Sequence, residues 1–202
     1  MLAFNQIGNL GRLGNQMFEY AALRGIAAYH GYNWCIPPFD RTGIENYSLH
    51  ECFKLDHIPT GFIKDENYSL EQTFHFNNDL FATCKDGTSL YGFFQSWRYF
   101  LQIQDTIRKD FTFKDEILEP CKEMIESLDE PIMLHVRRGD PNLTDPRGFK
   151  WSYTQCSSQH PPQPIEYYEE ALKKFDKNQS VIVFSDSVDW VKEQEIFKPD
   201  RF

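Results

Sequence analysis

The chain has no run of about 18 uninterrupted apolar residues, the minimum for a membrane-spanning helix, and its first residues carry neither the basic stretch nor the long apolar core of a signal peptide. Neither a membrane span nor a cleaved leader is expected. Cysteine is present but unpatterned: Cys35, Cys52, Cys84, Cys121 and Cys156 are five in number and show no CxxC spacing. An odd, unpaired set argues against a complete disulfide framework or a zinc site and predicts buried free thiols. Block clusters of Lys and Arg are missing too, and the net charge is -9 with a pI near 5.1. Nucleic acid and anionic membrane are therefore disfavoured as main partners, whereas a nucleotide-sized ligand needs only a local pocket. No Asp-x-Asp pair is available to hold a divalent cation, the nearest short-spaced carboxylates being Asp186 and Asp189.

What is present is an α/β pattern. At 202 residues, 41% of them hydrophobic, the chain can build one large or two small domains. Residues 1–8 read as a short strand that leads through a glycine turn into a helix from Asn15 to His30, capped by Asn15 and stopped by Gly31. Glycines at 8, 11 and 14 give a GxxGxxG spacing, unlike the dinucleotide GxGxxG, so a nicotinamide enzyme is disfavoured. The same glycines would equally serve a tight turn and close helix packing. Residues 32–81 are irregular and yield no elements. Further on, 88–94 reads as a strand, Trp97–Ile107 as helical, and Asp115–Leu128 as a helix with Pro120 at a break or fresh start. A second βα pattern then begins with a strand over Ile132–Val136, followed by a long polar loop from Pro141 to Pro164, a helix over Ile165–Phe175 and a strand over Val181–Phe184.

The hexapeptide His135-Val136-Arg137-Arg138-Gly139-Asp140 closes the first strand of that second pattern. Guanidinium forks suit bidentate recognition of phosphate oxygens, and ligands of open α/β sheets collect at the carboxyl ends of strands. The bland alternative is a surface ion pair at a strand end. Ser185-Asp186-Ser187 closes the second strand, so Asp186 is a candidate for ligand recognition, or else the N-cap of a helix starting near Val188. Side chains alternate across a strand, so Arg137 and Arg138 should divide their labour. His135 shares the Arg137 face and either orients it, contacts a nucleotide, or sits as a core histidine.

Several blocks together resemble one family, the α-1,2-fucosyltransferases. Gly8-Asn9-Leu10-Gly11-Arg12-Leu13-Gly14-Asn15-Gln16-Met17-Phe18-Glu19-Tyr20-Ala21 is similar to that family's amino-terminal glycine loop and first helix. Leu90-Tyr91-Gly92-Phe93-Phe94-Gln95-Ser96 resembles its Gly-aromatic-aromatic-Gln-Ser block. The hexapeptide, Tyr167-Tyr168 and Val183-Phe184-Ser185-Asp186-Ser187-Val188-Asp189-Trp190 continue in the same order. The resemblance implies a GT-B-like α/β fold of two Rossmann-like domains, with 1–130 on the acceptor side and 131–202 beginning the nucleotide-sugar domain. It also implies an inverting, metal-independent transfer of fucose from GDP-fucose to the 2-hydroxyl of a terminal galactose, with no cofactor besides the donor.

By the same resemblance Arg137 is assigned to the β-phosphate and Arg138 to support, with His135, Ser185, Asp186, Gly11, Gly14 and Asn15 on the donor. Fixed cationic donors of this kind can replace a metal at a departing diphosphate. An inverting transfer needs one general base, for which Asp140 and Asp145 are the candidates, Asp145 matching a carboxylate of related enzymes. Glu19, Asn15 and Gln16 remain alternatives facing the acceptor. Animal members carry a membrane anchor, so the resemblance here is to bacterial or viral, cytoplasmic or membrane-peripheral forms. The family's carboxyl-terminal Asn-Ser-Ser segment and paired tryptophans have no counterpart, so the second domain is expected to be incomplete. A homo-oligomer or a companion chain would then complete it. The competing readings are a catalytically silent remnant that binds glycan or a partner chain, and a transferase for another nucleotide sugar.

Overall fold

Strand β1 (Leu2–Ala3) is wholly buried and is flanked on both sides by parallel partners. The computed structural model describes residues 1–39, 47–55, 57–64, 67–139, 161–198, 200 and 202. It divides into two compact units, Met1–Ile117 and Leu118–Phe202.

In the first unit β1, β2 (Trp34–Cys35), β3 (Tyr68–Leu70) and β4 (Ser89–Tyr91) form one parallel sheet in the order β2-β1-β4-β3. Leu2 and Ala3 stand opposite Trp34 and Cys35, and Ala3 stands opposite Ser89. Parallel neighbours cannot be joined by a hairpin, so the chain returns from β1 to β2 through α1 (Leu13–His30). Gly31, in the left-handed region at φ 69°, ends that helix with its N–H aimed back at Ala27 and Ala28. The amino end differs from expectation. Helical geometry starts at Leu13 after an extended Arg12, so Asn15 lies inside the first turn and is no cap.

Tyr20, Leu23, Ile26 and Ala27 of α1 pack on Leu2, Phe4, Ile36 and Leu90 of the sheet layer, all buried in one apolar core. Arg24 and Asp110 form an ion pair whose side chains are mostly buried, and the Tyr20 hydroxyl donates to Asp110 at 3.0 Å. The Arg24 guanidinium also lies 4.5 Å from the centre of the Trp34 ring. The helix expected over Trp97–Ile107 is instead two 3-10 turns, Trp97–Tyr99 and Leu101–Ile103, running into a helix over Gln104–Asp110. The expected strand over 88–94 is trimmed to β4, because Gly92 at φ 143° and Phe94 at φ 49° turn the chain away.

The helix Asp115–Glu126 runs through Pro120 without the expected break and contains no buried residue. Cys121 lies on it and is exposed, unlike the buried thiols of Cys35 and Cys84 and the half-buried Cys52; Cys156 lies outside the described residues. The buried-thiol expectation therefore fails at Cys121, which stands on an exposed face of this helix.

In the second unit β5 (Ile132–Val136) and β6 (Val181–Ser185) pair in parallel, from Ile132 opposite Val181 to Val136 opposite Ser185. The α2 helix (Ile165–Leu172) lies between them in sequence, and α3 (Val188–Glu193) follows β6. Alternation then sorts the faces. Leu134, Val136 and Val183 join Tyr168, Val191 and Phe197 in a core, whereas Met133 and Phe184 on the opposite face are each about half exposed. Among the described residues this sheet has two strands.

Both units are thus α/β with parallel strands, the class that the sequence predicts. One close approach in the first unit gives a direct test. A Cβ on Gly25 would stand 2.0 Å from the Tyr99 carbonyl oxygen and 2.7 Å from the Phe100 Cα, both backbone atoms that cannot step aside cheaply. Gly25→Ala should therefore destabilise this unit by about 1–3 kcal/mol through overpacking, read as a lower urea midpoint. An unchanged midpoint would mean that α1 and the 3-10 turn are not in contact there.

Candidate functional site

Each unit gathers its distinctive side chains where its parallel strands end. In the second unit β5 stops at Val136, so Arg137 and Arg138 lie beyond the last paired residue and strand alternation no longer decides their directions. They separate for another reason. The Arg138 guanidinium stacks 3.8 Å from the centre of the Trp190 ring and is half-buried, a cation–π contact that ties it to α3. Arg137 is exposed and has no hydrogen bond or ion pair among the described residues.

Asp186 accounts for the shape of the loop. Its two carboxylate oxygens accept the Arg138 N–H at 2.8 Å and the Gly139 N–H at 3.1 Å. Ser187 Oγ donates to the Gly139 carbonyl at 2.9 Å, and the Ser187 N–H donates to Ser185 Oγ at 2.9 Å. Gly139 sits at φ 77°, where a glycine is favoured. The two strand ends are thus laced together by charge-assisted bonds to backbone amides. Asp186 is not the N-cap of α3, since that position belongs to Ser187, whose side chain makes no cap bond. The core-histidine reading of His135 also fails: its side chain is exposed, on the face of the sheet opposite the core. Asp140 and Asp145 lie outside the described residues.

In the first unit the loops that follow the adjacent strands β1 and β4 meet. Gln95 Nε2 donates to Asn15 Oδ1 at 2.7 Å, joining the Gly92–Ser96 turn to the first turn of α1. Gly11 is sterically required, because it stands at φ 65° and a Cβ there would run into the Asn15 side chain. Gly14 is exposed, and a Cβ on it would meet nothing. Gln16 is fully buried and accepts the Ser48 N–H at 3.0 Å, so it does not face an acceptor. Glu19 is fully buried as well and is likewise removed from that role.

Glu71, in the stretch that yielded no elements from sequence, turns out to shape the β4 loop. Its Oε2 accepts the Phe93 N–H at 3.0 Å and the Phe94 N–H at 2.6 Å. No local signal marks it, since its partners lie more than twenty residues away. Burial pushes the Glu71 carboxyl up, while those two N–H donors and the nearby Tyr99 hydroxyl pull it back. Glu19 has no such compensation. Among the described residues both of its oxygens and Glu71 Oε1 are buried without a hydrogen-bond partner, and burial, reinforced by the neighbouring Glu71 charge, pushes the Glu19 carboxyl up to about 9.

Glu19 is therefore protonated at neutral pH in the folded chain and ionised in the unfolded chain, whose carboxyl titrates near 4.5. Between those values the folded state holds the extra proton, so this residue makes stability fall as pH rises. Glu19→Gln should raise stability at pH 8 by on the order of 1 kcal/mol, an amide being cheaper to bury than a charge. The gain should shrink as pH drops towards 4.5, which melting curves across that range would read. An equal effect at every pH would show that Glu19 does not titrate in this window.

Glycosyl transferase family 11 matches residues 2–199 of the chain. Among curated relatives, an alpha-1,2-colitosyltransferase of Escherichia coli is 27% identical over 215 residues, covering 93% of this chain and 71% of that protein. The O-antigen biosynthesis glycosyltransferase WbnK of Escherichia coli is 28% identical, covering 70% of this chain and 47% of that protein. Galactoside alpha-(1,2)-fucosyltransferase 2 of Mus musculus is 27% identical, covering 93% of this chain and 54% of that protein. The chain aligns with about half the length of the last two. No solved structure matches it, and no helix among the described residues is long and apolar enough to cross a membrane.

Proposed function

Because the chain belongs to glycosyl transferase family 11, we propose that it transfers a fucosyl group from GDP-fucose to the 2-hydroxyl of a terminal galactose in a glycan. The observation that carries this reading is Arg137. It is an exposed guanidinium without a partner among the described residues, set beside a loop that Asp186, Ser187 and Trp190 hold rigid. A pre-organised fork at a strand end suits a diphosphate, whose charge grows as the bond to the sugar carbon breaks.

In this proposal Arg137 binds the β-phosphate, and Arg138 supports it by stacking on Trp190 while its backbone N–H is spent on Asp186. The carboxylate of Asp186 acts first on the loop rather than on a nucleobase. Asp145, with Asp140 near it in sequence, stands as the general base that takes the proton of the acceptor hydroxyl as the anomeric centre inverts. A second reading, transfer of a colitosyl group, is favoured by the Escherichia coli relative that bears that name. Both names share the 1,2 linkage, so a donor comparison separates them.

Arg137→Ala removes a charge-assisted contact worth roughly 1.5–3 kcal/mol, which should weaken GDP binding by about tenfold or more. Arg137→Lys should also be impaired, because an ammonium does not reproduce the planar fork. Calorimetric titration of GDP into the folded variants reads both, and wild-type affinity in Arg137→Ala would remove the site.

The phosphate device proposed here is guanidinium, so GDP binding should survive EDTA. Loss of affinity on chelation, restored by Mg²⁺ or Mn²⁺, would assign the diphosphate to a cation instead.

A further inference from the structure

The first unit carries a stacked aromatic pair that its own core does not use. Phe74 is 69% exposed, and its ring lies 6.2 Å from that of Phe93 with only 17° between the planes. The loop between Leu70 and Asn77 presents Phe74, while Phe93 belongs to the turn after β4. That turn is expensive to maintain. Phe94 is a bulky residue at φ 49° and Gly92 stands at φ 143°, where a Cβ would come within 2.6 Å of the Glu71 Cβ. Two N–H bonds to Glu71 Oε2 and burial of the Phe94 ring hold it in place. Backbone strain kept by surrounding structure beside an exposed ring stacked on a half-buried one is a pattern of binding sites rather than of packing.

The next residue supplies polar chemistry. Gln95 is exposed, and one of its amide hydrogens is spent on Asn15 Oδ1, which leaves its carbonyl oxygen and Asn15's amide nitrogen at the carboxyl edge of β1 and β4. None of these four side chains carries a charge, and flat apolar faces on the same turn as an uncharged carboxamide suit a neutral, polyhydroxylated ring.

Resting on the proposed glycan acceptor, we infer that Phe74 and Phe93 form the shelf on which the acceptor's terminal galactose lies, with the Asn15–Gln95 pair hydrogen-bonding its hydroxyls. Galactose suits such a shelf because its axial 4-hydroxyl leaves the hydrogens on C3, C4 and C5 together on one face. In glucose the equatorial 4-hydroxyl puts the C4 hydrogen on the opposite face from those of C3 and C5. Glu71 is a positioning residue in this arrangement: it holds the turn that presents Phe93 and touches no sugar.

The test measures the binding of methyl β-galactoside and methyl β-glucoside to the full chain by saturation-transfer NMR, with and without GDP. GDP affinity is titrated separately. The wild type should transfer saturation most strongly to the galactoside hydrogens at C3, C4 and C5 and should prefer it to the glucoside. Phe74→Ala, at an exposed position that folding does not need, and Phe93→Ala should each weaken the galactoside by about fivefold or more, as loss of an aromatic contact does. Phe93→Tyr should restore it, and GDP affinity should not move in any of these variants. Galactoside binding at wild-type strength in both alanine variants would overturn the shelf, as would a wild type that binds GDP but no galactoside. Galactoside binding that needs Phe74 and Phe93 in a chain that ignores GDP would keep the shelf and defeat the donor proposal.

Discussion

Parallel pairing is the constraint from which the arrangement of both units follows. Two parallel strands leave the sheet at the same edge, so whatever follows them in sequence is brought together there, however far apart along the chain. Gly8–Gly14 and Gly92–Ser96 are separated by some eighty residues, yet β1 and β4 are neighbours and their exit loops are joined by Asn15 and Gln95. Arg138 and Asp186 are 48 residues apart and meet because β5 and β6 pair from Ile132 with Val181 to Val136 with Ser185. An antiparallel arrangement of the same strands would have sent these loops to opposite ends.

The two edges are stiffened by the same device, a carboxylate accepting two consecutive backbone N–H groups. Asp186 does this for Arg138 and Gly139, and Glu71 does it for Phe93 and Phe94. A carboxylate is well suited to the task, because its two oxygens bind amides more strongly than a neutral acceptor and a side chain reaches a turn that no strand can pair with. In each case a backbone in the left-handed region lies inside the clamp, at Gly139 or at Phe94. Arg137 stands beside one clamped loop, and the Phe74 ring stacks on Phe93 of the other.

Glu19 shows the opposite use of a carboxyl. It lies on the buried flank of α1 with neither oxygen bonded among the described residues, beside the partly bonded Glu71, and burial together with that neighbour keeps its proton on. Glu71 feels the same upward pull of burial, but the two N–H groups of the turn it holds oppose it.

The sequence by itself determined the family, the α/β class and the strands that carry the hexapeptide and Ser185-Asp186-Ser187, because these depend on local apolar runs and on ordered short motifs. It also determined where α1 stops, since Gly31 acts within one turn of the helix. What the tertiary structure decided are the partnerships. Asn15 read locally as a cap and became a link to Gln95; Asp186 read as a ligand or a cap and became a clamp; His135 was left outside the core. Cys121 was left exposed and Gln16 turned inwards to Ser48 for the same reason. Glu71 carried no local signal at all. A hydrogen bond between residues far apart in the chain exists only once the strands have chosen their neighbours, and no spacing along the chain records that choice.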